Sequence, residues 1–302
     1  MRVLVTGAAG YIGYAVGRRL VAAGHDVDGL VRRDVAVADG VRPIHGGLLD
    51  PDGLPRGPYD GVCHLAALTR VRESFDAPLR YFAVNVQGTV NLLKAVDTGR
   101  VVFASTAAVY GTPERQPIRE SEHTAPTSPY GASKLAAEQA VLFHARTGAI
   151  GAAVLRTFNV AGSVGGRVDP DETRLIPKAL AVAAGRAPHL EINGDGLAVR
   201  EYLHVDDLAD AYVRALEAVR PGEERVYNVG SGTGAAVHEV VAAVEEATGR
   251  PVPTLRRPAR PEAPVLICDA SAVRADLGWR PAHSTLREII TSSWNALTHI
   301  RD

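Results

Sequence analysis

The sequence predicts an α/β protein built on a doubly wound parallel β-sheet, followed by a smaller C-terminal lobe. Two observations support this fold class. Through the first two-thirds of the 302 residues, short runs rich in valine, isoleucine and leucine alternate with longer stretches of helical periodicity. Such runs are typical of parallel strands covered on both faces, and the alternation is typical of right-handed crossovers. The second observation is a glycine-rich turn between the first apolar run and the first helical stretch.

The strands and helices of the sheet follow one another in a regular order. Strands are predicted at RVLVTG, HDVDGLVR, GVCHLAA, RVVFAST and AAVLRTFNV. Helices are predicted at YIGYAVGRRLVAAG, PLRYFAVNVQGTVNLLKAV and PYGASKLAAEQAVLFHARTG. Gly24 and Gly148 stand where glycine would end the first and third of these helices.

The pattern changes after about residue 157, where loops become longer and richer in glycine and proline. Two helical patterns, LIPKALAVAAGR and VHEVVAAVEEATG, are interleaved there with the strand VYNVG. We therefore divide the chain into a dinucleotide-binding domain, residues 1–156, and residues 157–302. The second part is mainly a substrate-binding lobe, and some of its segments are expected to return to the first domain.

The glycines of the first turn, Gly7, Gly10 and Gly13, follow a strand and open a helix. Glycine lets the backbone approach a pyrophosphate, which then binds the free N–H groups at the positive end of the helix. The spacing G-x-x-G-x-x-G thus predicts a dinucleotide site. The alternative is a glycine-rich turn without a ligand, which is less consistent with its place between strand and helix.

The end of the second predicted strand distinguishes NAD from NADP. An acidic residue there would bind the ribose 2′-hydroxyl, whereas arginine would accept a 2′-phosphate. The expected acidic position holds Val31, and Arg32 and Arg33 follow it. The cofactor is therefore predicted to be NAD or NADP, and the arginines favour NADP. The alternative is that both arginines are solvated side chains at a strand end.

Tyr130 and Lys134 are four residues apart in a predicted helix. Residues at this spacing share a helix face, so the lysine ammonium is expected near the tyrosine hydroxyl. A nearby positive charge lowers the pKa of a phenol from about 10. A tyrosine of this kind can accept the proton of an alcohol that is oxidised by loss of hydride.

Composition and charge indicate which partners and which cellular compartment to expect. A net charge of −1 and a pI near 6.8 argue against a nucleic-acid partner or an acidic membrane surface. No apolar stretch is long enough to span a membrane, and the first strand begins too early for a signal peptide. Cys63 and Cys268 lie in predicted strands and are expected to be buried thiols of a reducing compartment. We expect a cytoplasmic protein and predict no metal site.

The motifs together resemble a known family. TGAAGYIG, HLAA, FASTAAVYG and SPYGASK are similar to motifs of the extended short-chain dehydrogenases/reductases. Further along, VRESFDAPLRYFAVNVQGT, LRTFNVAG, REYLHVDDLADAY and YNVGSG resemble the nucleotide-sugar 4-epimerase branch of the NAD-dependent epimerases/dehydratases. The resemblance runs over nearly the whole chain. It implies a Rossmann fold, a nucleotide-diphosphate sugar as substrate, and a homodimer formed by helices around residues 79–96 and 130–146.

The resemblance also implies roles for individual residues. Tyr130 would be the general base, Lys134 would tune it and anchor a ribose, and Thr106 would hydrogen-bond the sugar and the tyrosine. Ser105 is the adjacent alternative to Thr106, since strand alternation lets only one of them face the cofactor. The implied cofactor-binding residues are Gly7, Gly10, Tyr11, Ile12, Gly13, Arg32, Arg33, Leu48, Ala66, Ala67, Asn85, Tyr130 and Lys134. The implied substrate-binding residues are Thr106, Asn159, Arg200 and Arg260.

Departures from the family's motifs argue against some of the reactions that the family catalyses. Ala107 and Ala108 replace the Asp-Glu pair that family dehydratases use for elimination, and neither cysteine lies near the predicted site. The favoured function is a nucleotide-sugar 4-epimerase that forms a transient 4-keto sugar by hydride transfer to a nicotinamide. The alternative is an NADPH-dependent reductase of NDP-4-keto sugars, which the two arginines favour. A non-catalytic dinucleotide-binding regulator is a third hypothesis, which the intact trio of Thr106, Tyr130 and Lys134 disfavours.

Overall fold

A computed structural model describes residues 1–259 and 263–299. Its strands are β1 (Arg2–Thr6), β2 (Asp26–Val31), β3 (Val41–His45), β4 (Pro58–Tyr59), β5 (Gly61–His64), β6 (Asp97–Thr98), β7 (Arg100–Thr106), β8 (Gly151–Thr157), β9 (Asn159–Ala161), β10 (Ser163–Val164), β11 (Arg167–Val168), β12 (Leu190–Asn193), β13 (Val199–His204), β14 (Glu224–Val229), β15 (Gly234–Ala236), β16 (Thr254–Arg257) and β17 (Val265–Leu266).

The helices are α1 (Tyr11–Ala22), α2 (Val71–Asp76), α3 (Pro78–Phe82), α4 (Gly88–Ala95), α5 (Pro129–Arg146), α6 (Leu175–Ala183), α7 (Val205–Ala218), α8 (Val237–Thr248), α9 (Ser271–Leu277) and α10 (Leu286–His299). A π-helical turn spans Ala83–Gln87, and a 3-10 turn spans Ala107–Val109. In the described part of the chain, no helix has both the length and the apolar character that crossing a membrane requires.

Seven strands form a parallel sheet in the order β14-β8-β7-β5-β1-β2-β3. The order reverses beside β1, because β2 and β3 extend to one side of it and β5 and β7 to the other. Both sheet faces are covered: Val3 and Val5 enter a core with α1 and α7, whereas Leu4 enters a core with α4 and α5. The predicted doubly wound sheet is confirmed. Its topological switch point, where such folds bind ligands, lies at the carboxyl end of β1.

The chain beyond residue 157 contributes to this sheet as well as forming its own core. β14 pairs with β8, and α7 packs beside α1. The remaining helices α6, α8 and α10 enclose a separate apolar core. The return of segments to the sheet agrees with the expected interleaving. The domain boundary at residue 156 stays a prediction.

Several elements lie outside the sequence prediction, among them β3, α7 and α10. β3 is an edge strand whose residues Val41–His45 are mostly exposed, so it lacks an apolar run. α7 begins with two aspartates that resemble a loop, yet Asp207 is buried and its carboxylate accepts hydrogen bonds from the backbone of Ala282 and His283, 2.9 Å each. α10 covers the second core. Helix ends were easier to predict, since Gly24 and Gly148 adopt positive φ angles of 82° and 83° at the ends of α1 and α5.

Candidate active site

The glycine-rich turn packs directly against the end of β5. Gly7 has a φ of +71°, and a Cβ on it would lie 3.0 Å from the backbone nitrogen of Ala66. A Cβ on Gly13 would collide with the carbonyl oxygen of Gly7. Gly10 caps α1 without any side-chain hydrogen bond, so the first N–H groups of the helix are open to an anionic ligand. This donor set fits the pyrophosphate of a dinucleotide.

The segment that is predicted to distinguish NAD from NADP follows β2. Val31 is buried, whereas Arg32 and Arg33 are exposed and form no ion pair within the described residues. Asp34 pairs with the imidazole of His45 at 3.2 Å. An open cavity of about 360 Å³ lies here, lined by Val31, Asp34, Val35, Ala36, Pro43 and His45. The structure thus leaves both arginines available beside a cavity at the edge of the sheet.

A chain of buried hydrogen bonds ties the switch point together. The Thr6 hydroxyl accepts from the backbone nitrogens of Leu65 and Ala66, at 3.1 and 3.0 Å. It also lies 2.7 Å from Nδ1 of His64, whose Nε2 lies 2.9 Å from the Thr89 hydroxyl. Burial, with a smaller contribution from Lys134, lowers the pKa of His64 to about 3, so this imidazole is neutral. Thr6, His64 and Thr89 were not predicted as site residues, although all three occur in the quoted motifs TGAAGYIG, HLAA and VRESFDAPLRYFAVNVQGT.

Asn85 is held within the π-helical turn and is buried. Its side chain accepts a hydrogen bond from the backbone nitrogen of Leu68 at 2.8 Å and donates to the carbonyl oxygen of the same residue at 3.0 Å. It also donates to the hydroxyl of Ser133 at 2.9 Å. Asn85 therefore fixes the backbone that follows Ala67 and joins it to α5. The geometry gives it a positioning role, since both amide hydrogens are used within the protein.

The predicted catalytic residues come together where β7 ends and α5 begins. Thr106 is the last residue of β7, and its hydroxyl lies close enough to the phenol of Tyr130, the second residue of α5, to lower the pKa of that phenol. Ser105 points elsewhere and donates to Oε2 of Glu138 at 2.8 Å. The structure thus brings Thr106, and not Ser105, to the tyrosine. The ring of Tyr130 also meets the ring of Tyr81 edge-on, with centroids 6.4 Å apart.

The expected effect of Lys134 on Tyr130 requires a correction. Burial raises the pKa of Tyr130 above its ordinary value. The nearby Thr106 hydroxyl and the positive charge of Arg174 oppose this rise, and Lys134 makes no comparable contribution. The ammonium of Lys134 lies over the ring of Phe103, 4.2 Å from its centroid, and burial lowers the pKa of this lysine to about 7, so it is neutral at the pH at which a tyrosine ionises. The prediction that Lys134 lowers the tyrosine pKa is therefore wrong for this arrangement.

Lys134 is itself strongly perturbed. Its side chain is buried, and burial lowers its pKa from 10.5 to about 7 against the attraction of Glu138, one turn along α5. Glu138 is fully buried and paired with Arg156, whose Nε donates to Oε2 at 3.2 Å and whose Nη2 donates to Oε1. The active-site lysine therefore sits at the edge of a buried ionic cluster formed with β8.

Arg174 is a site residue that the sequence reasoning missed. It precedes α6 and pairs with Asp169 at 2.9 Å and with Asp171 at 3.6 Å. Its positive charge lowers the pKa of Tyr130 and of Tyr11, in both cases against a larger effect of burial. A single arginine among acidic neighbours in a loop carries no sequence signal. Only the fold shows that it lies near the catalytic tyrosine.

Two predicted substrate residues lie on paired strands. Asn159 begins β9 and is opposite Tyr202 of β13, two residues from Arg200. The Asn159 side chain is exposed and donates to the carbonyl oxygen of Glu201 at 3.0 Å, while Arg200 donates to the carbonyl oxygen of Val199 at 2.8 Å. Arg260 lies outside the described residues.

The remaining predicted cofactor residues divide into two groups. Ala66 and Ala67 follow β5 at the switch point, and Tyr11 and Ile12 begin α1. Leu48, by contrast, packs its side chain into the core shared with α4, and its carbonyl oxygen accepts from Asn91 at 2.9 Å. Its side chain does not line the site, so a cofactor contact would have to come from its remaining backbone.

Comparison with known proteins agrees with this geometry. The model of the NAD dependent epimerase/dehydratase family matches residues 3–230. The chain belongs to this family. The UDP-glucose 4-epimerase of Corynebacterium glutamicum is 40% identical over a 313-residue alignment that covers 97% of this chain and 95% of the relative.

Solved structures of family members superpose closely. The UDP-glucose 4-epimerase of Bifidobacterium longum, in complex with NAD+ and UDP, gives a TM-score of 0.91 at 32% identity and covers 99% of this chain and 98% of its own. The UDP-glucose 4-epimerase of Stenotrophomonas maltophila, with bound NAD and formylated UDP-arabinopyranose, gives a TM-score of 0.91 at 32% identity. The match covers 100% of this chain and 99% of that structure's chain. Membership of the epimerase/dehydratase family and the Rossmann fold, both expected from the sequence, are confirmed.

Lys134→Met should change the pH dependence of stability. The free energy of unfolding of the wild type should rise between pH 7 and 10.5, because its folded lysine is neutral there while the unfolded chain still binds a proton. Lys134→Met lacks the titrating lysine and therefore lacks this rise in the free energy of unfolding. Its stability relative to the wild type should therefore be greatest below pH 7 and fall by about 1.4 kcal/mol per pH unit above it.

Denaturant unfolding at a series of pH values measures this effect. Lys94→Met, at an exposed position of α4, is the matched control and should not reproduce the trend. A difference between Lys134→Met and wild type that stays constant across the pH series would show that the buried lysine is not perturbed as described.

Proposed function

We propose that this member of the epimerase/dehydratase family is a nucleotide-sugar 4-epimerase. The observation that carries the proposal is the approach of the Thr106 hydroxyl to the phenol of Tyr130, with the buried Lys134 one turn along the same helix. This trio lies at the carboxyl edge of a sheet whose glycine turn offers free N–H groups to a dinucleotide. The relatives named UDP-glucose 4-epimerase, which the chain matches over almost its whole length, support the same activity.

The proposed chemistry uses one proton-transfer group. A bound nicotinamide would supply a reversible hydride acceptor. The phenolate oxygen of ionised Tyr130 would take the proton of the sugar 4-hydroxyl and later return it, while Thr106 orients both oxygens. The proton and the hydride return to the same sugar, so nothing is consumed. Thr106 and the charge of Arg174 stabilise the phenolate of Tyr130 against the cost of burial.

Arg200 and Asn159 are proposed to bind the nucleotide diphosphate of the substrate. Both lie on the paired strands β9 and β13, which belong to the second lobe rather than to the sheet domain. A planar guanidinium suits a diphosphate because it can donate two parallel hydrogen bonds. Arg260 is proposed for the same task from the sequence resemblance.

One experiment separates the epimerase from the reductase. Purified protein should interconvert UDP-glucose and its C4 epimer, or another such pair, with no net change in nicotinamide absorbance. Tyr130→Phe should lower turnover by about 10²–10⁴-fold because the proton-transfer group is removed, while dinucleotide binding persists. Tyr110→Phe, which removes a buried hydroxyl bonded to Asn228, is the control and should keep substantial turnover.

Stoichiometric loss of NADPH with an NDP-4-keto sugar, without epimerisation of any NDP-hexose, would assign the protein as a reductase instead. The exposed pair Arg32 and Arg33 is the observation that favours this second candidate.

We further propose that NADP(H) binds at least as tightly as NAD(H). Val31 removes the acid expected for the ribose 2′-hydroxyl, and the exposed Arg32 and Arg33, which form no ion pair in the described part of the chain, can bind a 2′-phosphate. Titration with both dinucleotides tests the proposal, and Arg32→Ala and Arg33→Ala should each weaken NADP(H) more than NAD(H). A clear preference of the wild type for NAD would contradict it and would point to Asp34 as the residue that binds the ribose.

The protein is also proposed to be a homodimer. Val71, Phe75, Leu79, Phe82 and Phe143 are large apolar side chains exposed on the neighbouring helices α2, α3 and α5, and Leu79 is 83% exposed. Apolar patches of this kind mark protein interfaces. Light scattering should give twice the chain mass for the wild type and a monomer for Leu79→Glu combined with Phe143→Glu. Leu197→Glu, at an exposed loop position, is the control, and a monomeric wild type would refute the proposal.

A further inference from the structure

The hairpin formed by β10 and β11 lies across the beginning of α1. Its turn contains Gly165 and Gly166, both with positive φ angles. The Tyr11 hydroxyl donates to the carbonyl oxygen of Gly162 at 2.8 Å, just before the hairpin. Gly165 approaches Tyr14 so closely that a Cβ on it would lie 2.9 Å from the tyrosine hydroxyl oxygen. A segment of the C-terminal part of the chain is thus seated on the helix that follows the glycine turn.

Arg167 of this hairpin joins two separate parts of the predicted dinucleotide site. Its Nη1 donates to the carbonyl oxygen of Ala9, within the glycine turn, at 3.1 Å. Its Nη2 donates to the carbonyl oxygen of Ala36 at 2.7 Å, and Ala36 lines the cavity at the ends of β2 and β3. The guanidinium also lies 4.3 Å from the ring centroid of Tyr14. One side chain therefore connects the pyrophosphate turn with the segment after the second strand.

No carboxylate of the described residues neutralises the charge of Arg167. Within residues 1–259 and 263–299, its hydrogen bonds go to the two backbone carbonyls and it forms no ion pair. This positive charge lies beside the N-terminal end of α1, where the free N–H groups and the helix dipole already favour an anion. The local potential therefore suits a dianionic pyrophosphate.

We propose that Arg167 is a positioning residue that retains the dinucleotide, with the β10–β11 hairpin acting as a strap across its binding site. The inference rests on the proposed function only in requiring that the protein binds a nicotinamide dinucleotide. The glycine turn and the segment after β2 are expected to contact opposite ends of the adenosine diphosphate half. Arg167 holds these two segments together, so separating them for release breaks both of its hydrogen bonds.

A purely structural role for Arg167 makes a different prediction. The hairpin is also anchored through Tyr11 and Tyr14, so loss of Arg167 could simply loosen its packing. In that case the melting temperature would fall equally with and without dinucleotide, and the dissociation rate would not change. A retaining role instead changes the dissociation rate and makes the loss of stability larger for the loaded protein.

The test uses the dissociation rate of reduced dinucleotide, followed by its fluorescence after addition of excess competitor. Arg167→Met keeps the stem over Tyr14 but removes the charge and both donors, and should dissociate about tenfold faster. Arg167→Lys keeps the charge without the two-pronged contact and should fall between Arg167→Met and wild type. Arg186→Met, which breaks an exposed ion pair with Glu172 in the same lobe, is the control and should match the wild type.

A second variant leaves Arg167 in place and displaces the hairpin. Gly165→Ala adds a methyl group against the Tyr14 hydroxyl at a left-handed position and should also speed dissociation. Wild-type dissociation rates in both Arg167→Met and Gly165→Ala, with melting temperatures lowered equally in free and loaded protein, would overturn the proposal. A wild type that binds no dinucleotide would instead refute the proposed function, so the two failures are distinguishable.

Discussion

The active site depends on the close packing of the glycine turn against the neighbouring strand end at the switch point. Thr6 binds the backbone nitrogens of Leu65 and Ala66, and Gly7 leaves no room for a Cβ above Ala66. This contact fixes the separation of β1 and β5 at their carboxyl ends. The start of α1, the segment after β5 and the start of α5 are all positioned from it. A side chain at Gly7 would separate the strands and disturb the cofactor-binding turn and the Asn85 contacts together.

The ionic groups beneath the trio show how the fold accommodates a buried lysine. Lys134, Glu138 and Arg156 are all nearly or fully buried, and removing charges from water is costly unless they are paired. Glu138 satisfies Arg156 with two hydrogen bonds and attracts Lys134, while Ser105 donates a third hydrogen bond to it. The lysine nevertheless has its pKa lowered to about 7. The site thus places a destabilised cation on the same helix as Tyr130, and the surrounding packing must offset that cost.

Local features were predictable from the sequence, whereas long-range features were not. The glycine turn, the Tyr130–Lys134 pair and five strands of the sheet follow from spacing and apolar periodicity within short windows. Thr106 was favoured over Ser105 by the resemblance, and the structure places Thr106 against the tyrosine. Arg167 could not be predicted because its hydrogen-bond partners Ala9 and Ala36 are distant in sequence. Arg174 could not be predicted because the tyrosine whose pKa it lowers, Tyr130, is also distant in sequence. The pKa of Tyr130 was predicted in the wrong direction because burial, which spacing does not report, outweighs the neighbouring charges.

The contacts between the β10–β11 hairpin and the first domain favour an epimerase over a reductase. A reductase must release its oxidised dinucleotide in every cycle, whereas an epimerase returns the hydride to its own sugar and can keep the dinucleotide bound. The hairpin contacts of Tyr11, Tyr14 and Arg167 cross the dinucleotide site, while the paired strands that carry Asn159 and Arg200 lie in the second lobe. Under these proposals, retention of the dinucleotide and binding of the sugar nucleotide depend on different contacts. An arrangement that holds the dinucleotide firmly while the sugar enters, turns and leaves is the one that epimerisation requires.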